Sequence, residues 1–537
     1  MKHTSVLVRK PGYLWLFIVT FVALASVGHA LENIRITNEL TLGYNSISGD
    51  GKDQSSLSKG YRYLNILGLN GNGVLANGYE YQYLGGFKFT DDIRNDLKNI
   101  SLTNLQARFS NNINTYTAGD VLEYFSQYSL NSALKGVSYR YTDPNSKLQN
   151  IGLIYGIAYP RWDNFGGEDE LKAVRRHALG GTIRHTFTPE FTAGLSLVQS
   201  FDETSTLILE TDPAYSNGVY AVDAEYNPFP GLLLNSELAL SNVTVKVKDT
   251  ADDSDSGSAF KIGGVGTGGP SRVSAEFERV STDFLSLMGA ATPDREKFKT
   301  QWRYNYNTDI TTRVGLLWYR NNLDDELADT TNSLRPEAGV TIRNVFMRTT
   351  ATADIDYKLF SQTTGDVETL DNIFNINYRD QFNNFDTDSN VGLTLYSTET
   401  DIRDCTEYTL NTSIGTQYQL DDMNLRPNLS LGIWNMSDDL VSKSNSVFEY
   451  ALGSALEMPA QNIVARVRLG QNMLKNDISA EDSNKFFFSG DVYYRPDFLA
   501  HYKATMFVKI FYNSFNYTTT TNNFRETGFQ TGLNTQF

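Results

Sequence analysis

Few side chains in this chain of 537 residues have the types and spacing that catalysis or metal binding requires. Cys405 is the only cysteine, so an internal disulfide and a zinc or iron–sulfur site built on several cysteines are both excluded. Downstream of residue 30 the histidines are His177, His185 and His501, which leaves a Ser-His pair few candidate bases. His185 also falls on the apolar face of an alternating run. "GGVGTGGP", Gly263 to Pro270, lacks the Lys and Ser/Thr of a phosphate loop and reads as a flexible loop. The acidic run "DTADDSDS" from Asp249 lacks the ligand spacing of an EF-hand and reads as a solvated loop. The chain is therefore expected not to be an enzyme and to need no cofactor.

What remains is charge on one face of alternating segments. The set is Arg184, Lys299, Arg303, Arg313, Lys503 and Lys509 against Glu39, Glu225, Glu237, Asp354, Asp356 and Asp491. Facing one water-filled space, residues of both signs would select ions and orient polar solutes. Paired with one another, they would only solvate an interior.

These charges sit on segments with a period of two, which places successive side chains on opposite faces of a strand. Ile34, Ile36, Leu40, Leu42 and Tyr44 alternate with Arg35, Thr37, Glu39, Thr41 and Gly43. Phe298, Thr300, Trp302, Tyr304 and Tyr306 alternate with Lys299, Gln301, Arg303 and Asn305, and Tyr502, Ala504, Met506, Val508 and Ile510 with Lys503, Thr505 and Lys509. Such runs recur along the whole chain with almost no helical period. The reading passes from a run at 100–109 to one at 136–142, and from 232–247 to 272–280. Short turns such as "DPNS", "TPE", "NPFPG" and "RPD" alternate with longer polar loops such as "PRWDNFGGEDELKAVRR", the pattern of an up-and-down meander.

The two ends of the sequence add export. "MKHTSVLVRK" is basic, "YLWLFIVTFVALASV" is apolar, and Gly28 and Ala30 are small. An apolar run of about fifteen residues is too short for a spanning helix, which needs ~20, so residues 1–30 read as a signal peptide cleaved after Ala30. The segment "NFRETGFQTGLNTQF" closes the chain on an aromatic, with Phe529, Leu533 and Phe537 on one face. Between these ends, residues 31–537 show no linker and no shift in composition, and they read as a single domain. The net charge of -16 argues against nucleic acid as a partner, because that affinity depends on clustered Lys and Arg.

So many strands in one sheet leave an edge and a core to satisfy unless the sheet closes, and in a membrane a barrel is the only β solution. Tyr and Trp near strand ends, as at Tyr304 and Tyr306, Trp318 and Tyr319, and Tyr493 and Tyr494, fit a headgroup level. The expected fold is all-β: a large antiparallel up-and-down transmembrane β-barrel of roughly 20–26 strands.

With its export signal, alternating strands and final Phe537, the chain resembles Gram-negative outer-membrane β-barrels of the porin-like kind; "YTAGDVLEYFSQYSLNSALKGVSYRY" from Tyr116 resembles large barrels of that kind as well. The resemblance implies an outer-membrane location, contact with outer-membrane lipid, and recognition of Phe529, Leu533 and Phe537 by the barrel-insertion machinery. It also implies a passive channel for small hydrophilic solutes or ions. The alternative is a wide sheath around a periplasmic or lumenal protein partner such as a multihaem electron conduit. Any haem would then come from the partner, since no Cys-x-x-Cys-His is present.

Overall fold

The structure is a computed structural model that describes residues 34–162, 173–209, 211–382, 385–393, 404–477, 479 and 481–537. The expected signal peptide lies outside the described residues.

Strands form over most of the alternating runs that lie within the described residues; most of the run read at 391–400 lies outside them. The first half of the wall is β1 (Ile34–Ser48), β2 (Gly60–Val74), β3 (Glu80–Thr90), β4 (Ile100–Ser110), β5 (Asn114–Ser126), β6 (Leu130–Thr142), β7 (Leu148–Ala158), β8 (Arg176–Thr188), β9 (Phe191–Asp202), β10 (Ala214–Phe229), β11 (Leu232–Lys246), β12 (Asp253–Gly268) and β13 (Ser271–Val280). The second half is β14 (Arg295–Asn305), β15 (Ile310–Asn321), β16 (Thr331–Arg343), β17 (Thr352–Thr364), β18 (Val367–Phe382), β19 (Phe385–Leu393), β20 (Cys405–Thr416), β21 (Tyr418–Leu420), β22 (Met423–Asp438), β23 (Lys443–Met458), β24 (Ile463–Asn476), β25 (Ser483–Tyr494), β26 (Thr505–Tyr517) and β27 (Phe524–Gln536). The short β21 continues β20 along the same neighbour β22, so the wall has 26 antiparallel up-and-down strands.

The sheet closes because β1 pairs with both β2 and β27, in register from Thr37 with Gln536 to Ser48 with Arg525. Closure leaves no edge at this seam, and the backbone exchange between Ile36 and Phe537 (2.9 and 3.2 Å) extends it to the last residue. Connections at the end where β1 starts are mostly short turns, the β16–β17 and β25–β26 connections being longer. Those at the other end are mostly longer.

Four sequence expectations need correction. "GGVGTGGP" is not a loop: Gly263–Gly268 lies in β12, and so does Asp253–Ser258 of the acidic run. Lys503 does not line a strand, because Asp497–Tyr502 forms a 3-10 helix and Lys503 ends it at φ +43°, with β26 starting only at Thr505. Tyr319 and Tyr493 do not point at lipid: their rings carry the inward cations Arg335 (5.3 Å) and Lys509 (5.7 Å).

The outer face is apolar. Leu153, Tyr155, Leu179, Ile183, Leu238, Leu240, Val314, Met506, Val508 and Ile510 are all exposed there. At the short-turn end the outward rings cluster, with Phe187 to Phe191 at 5.7 Å, Phe191 to Tyr226 at 6.4 Å and Tyr304 to Tyr306 at 4.7 Å between centroids. His185 joins them, 4.8 Å from Phe187. Such a girdle places amphipathic rings at a membrane interface.

Candidate permeation pathway

The inward positions of neighbouring strands fall into rows, since residues paired in register point the same way. One row runs Arg184, Gly194, Asp223, Glu237, Lys261, Glu278 and Lys297 across β8 to β14. Charges of opposite sign meet along it. Arg184 donates to Asp223 across Gly194, where a Cβ would collide with the Asp223 carboxylate, and it also reaches Glu225 at 2.9 Å. Lys297 pairs with Glu278 and lies 3.3 Å from Glu276.

Part of this belt is not open to the lumen. β5 pairs with β4 only from Thr115 with Ser110 up to Gly119 with Gln106, and β6 pairs with β7 only below Lys135 with Ile157. Beyond those points the two strands stay paired with each other and keep no partner in the wall. They separate from it at Gly119, Gly136 and Gly156, which are aligned across β5, β6 and β7. Gly119 has φ +102°, and a Cβ there would run into the Leu105 carbonyl. Asp120 covers the strand edge left behind: it accepts from the Leu105 N–H (2.6 Å) and the Trp162 indole (2.9 Å), with Lys135 at 3.0 Å.

The freed hairpin folds inward onto β7–β13. Its tip, Gln127 and Tyr128, gives two backbone N–H bonds to Glu237 (3.3 and 3.0 Å), and the Tyr128 hydroxyl donates to Glu278 (2.8 Å). Lys261 donates to the Gln127 side chain. A second inward segment, in the β13–β14 connection, brings Phe284 edge-on to Tyr128 (5.8 Å) and Met288 against Val121, Phe125, Leu130 and Leu134. Each such buried apolar side chain contributes roughly 1.5–3 kcal/mol. The hairpin is thus a fixed thickening of one side of the wall. Burial pushes the Tyr128 phenol far above its usual range, and the Glu278 carboxylate adds to this.

The expected lumen residues therefore divide. Glu237 is only 4% exposed, sealed beneath the hairpin. Arg184 and Glu225 pair as described. Arg313 pairs with Asp356, passing over Gly339, and Asp354 accepts from Thr341 (2.6 Å). Arg303 stands opposite both Arg272 and Arg313, a row of three like charges. Glu39, Lys299 and Arg303 are exposed on the inward face. Asp491 lies in register between Arg466 and Lys509. Phe529 and Leu533 face outward on β27, and the Phe537 ring meets Tyr502 at 5.1 Å.

Asp223, Lys261, Glu278, Lys297 and Tyr128 were missed by the sequence reading. The signal that marks the hairpin is a loss of alternation: across Val121 to Phe125 both faces carry apolar or aromatic residues, with Glu123 the one charge among them. Apolar residues in a connection, Phe284 to Met288, mark the second segment.

One loop tie stands above this. Asp96, in the β3–β4 connection, binds Arg161 (2.8 Å), which also donates to Ser101 (2.6 Å). Burial raises the Asp96 carboxyl, but the Lys98 N–H, Arg161 and Ser101 outweigh it and hold it below its usual range.

A closed sheet with an apolar band outside and charge inside defines a transmembrane β-barrel of the outer-membrane type. No family model matches the chain, and no curated protein matches it. Among solved structures, the P pilus usher PapC translocation pore is similar at 11% identity and a TM-score of 0.40, over 94% of this chain and 99% of that one. The outer-membrane transporter YddB from Escherichia coli is similar at 8% identity and a TM-score of 0.39, over 94% and 81%. OccK5 (OpdH) of Pseudomonas aeruginosa is similar at 11% identity and a TM-score of 0.35, over 64% and 96%. At such scores none of them bears on what this chain carries.

Proposed function

We propose that this chain is a porin-like channel that lets small hydrophilic solutes or ions diffuse across the outer membrane. The observation that supports it is the asymmetry of the lumen. Its inward segments lie against β7–β13, while the charged inward positions Glu39, Lys299 and Arg303 on the remaining arc stay exposed. Rings of accessible charge of both signs suit a wet pore. The sheath reading, a barrel around a protein partner, is less favoured because part of the lumen is filled by the chain's own hairpin.

Purified protein in a planar bilayer tests this. Large steady openings are expected; a barrel that stays closed until a co-purifying protein is stripped away would favour the sheath.

A further inference from the structure

One arc of the lumen is unlike the rest. On β25 and β26 the inward positions read Lys485, Phe487, Ser489, Asp491, Tyr493 and Phe507, Lys509, Phe511, Asn513, Phe515, so that rings and cations share the same face. The cations sit on the rings: Lys509 is 5.0 Å from the Phe507 centroid and 5.7 Å from Tyr493, and Lys485 is 5.2 Å from Phe515. From β24, Arg466 lies 5.5 Å from Tyr493 and Arg468 5.3 Å from Phe487.

Two facts separate this arc from a purely structural arrangement. Rings laid over glycines stabilise a sheet by themselves, and Phe511 over Gly528 and Phe507 over Gly532 do so here. That role needs no cations. Elsewhere in the lumen Arg184, Lys297 and Arg313 are neutralised by carboxylates; Lys485, Lys509 and Arg466 make no ion pair with a described carboxylate, although Asp491 stands in register between the last two, and unlike Lys299 and Arg303, which also lack one, they lie over rings. A cation held on a ring has given up part of its hydration and gains more from an incoming anion than one fully in water.

We propose that this stripe is a binding track for solutes that join an anionic group to a flat apolar face, such as aromatic carboxylates, with Lys485 and Lys509 taking the anion and Phe487, Phe511 and Phe515 the apolar face. The track rests on the channel reading for its role in transport, but its binding is measurable without it.

The test uses the full barrel and two probes: phenylacetate and acetate. In a planar bilayer, phenylacetate should interrupt the potassium chloride current at roughly tenfold lower concentration than acetate, since it gains a ring contact as well as an ion pair. K485Q combined with K509Q should weaken the block by both anions several-fold, and F511L should bring phenylacetate close to acetate while current persists. Equal potency of phenylacetate and acetate, or no change in the variants, would overturn the track and leave the channel standing. If no current flows, saturation-transfer NMR in detergent decides: phenylacetate binding that is lost in the lysine variants keeps the track and discards the channel, and its absence discards the track.

Discussion

Met506 and Lys509 lie three residues apart on β26 and meet different media, one exposed on the outer face and the other inward over two rings. Arg at Met506, the second residue of β26 and opposite Tyr494 near one membrane interface, should cost about 1 kcal/mol and lower the yield of folded barrel modestly, because a charge on the lipid face is poorly solvated. K509E should fold normally and move the reversal potential toward cation selectivity. Heat-shift on a detergent gel reads the first and a salt gradient across a bilayer the second; folding lost at Lys509 and kept at Met506 would mean the faces are exchanged. Asp96 predicts a pH effect. Its carboxyl is depressed in the folded protein, so its stabilisation is complete above the ordinary carboxylate value and is lost as pH falls through the depressed one. The loop tie to Arg161 should therefore hold at pH 5–7, about one unit or more above that ordinary value, and release only in stronger acid. Hydrogen exchange at the Lys98 amide would follow it, and D96N should loosen the amide at every pH. Residue type was legible where face and charge agreed, as at Arg184 and Lys509. It was not at Glu237, since nothing in a single sequence says that a hairpin more than a hundred residues upstream folds over that carboxylate.

The elements were legible wherever polar and apolar positions alternate between lumen and lipid. Two of the 26 strands escaped, for opposite reasons. β12 begins in Asp253 to Ser258 and ends in a glycine-rich run, so its composition resembles a loop while its backbone pairs with β11 over Asp253–Gly266 and with β13 over Ala259–Gly268. β5 loses its alternation above Gly119, where Val121 and Phe125 pack on the inner wall while Leu122 and Tyr124 are exposed on the other face. That packing gives a prediction for the hairpin. E237A strands the buried N–H groups of Gln127 and Tyr128, a cost of about 1–3 kcal/mol for each unsatisfied group. Exchange at those amides should rise by orders of magnitude, and the bilayer current should become noisier as the tip moves. An E237A current as quiet as that of the parent protein would show that the hairpin does not line the conducting path. Gly136→Val, which would drive a side chain into the Tyr155 carbonyl, should reduce the folded fraction more severely.

For the molecule as a whole, the seam between β1 and β27 closes the sheet and ends on the Phe537 backbone bonds to Ile36. We propose that Phe537 also serves assembly. Replacing it by Asp should leave synthesis intact and lower the amount of heat-modifiable barrel in outer-membrane fractions, and an unchanged yield would remove the residue from that role. The crease at Gly119, Gly136 and Gly156 reaches further than the hairpin it releases. Because β5 and β6 leave the perimeter there, 26 strands enclose the lumen at the short-turn end and two fewer at the other. In the channel we propose, where diameter grows with strand number, a solute arriving from the long-loop side would meet the narrower rim first and traffic in the opposite direction the wider one, so three aligned glycines would give the two faces of the membrane unequal doors.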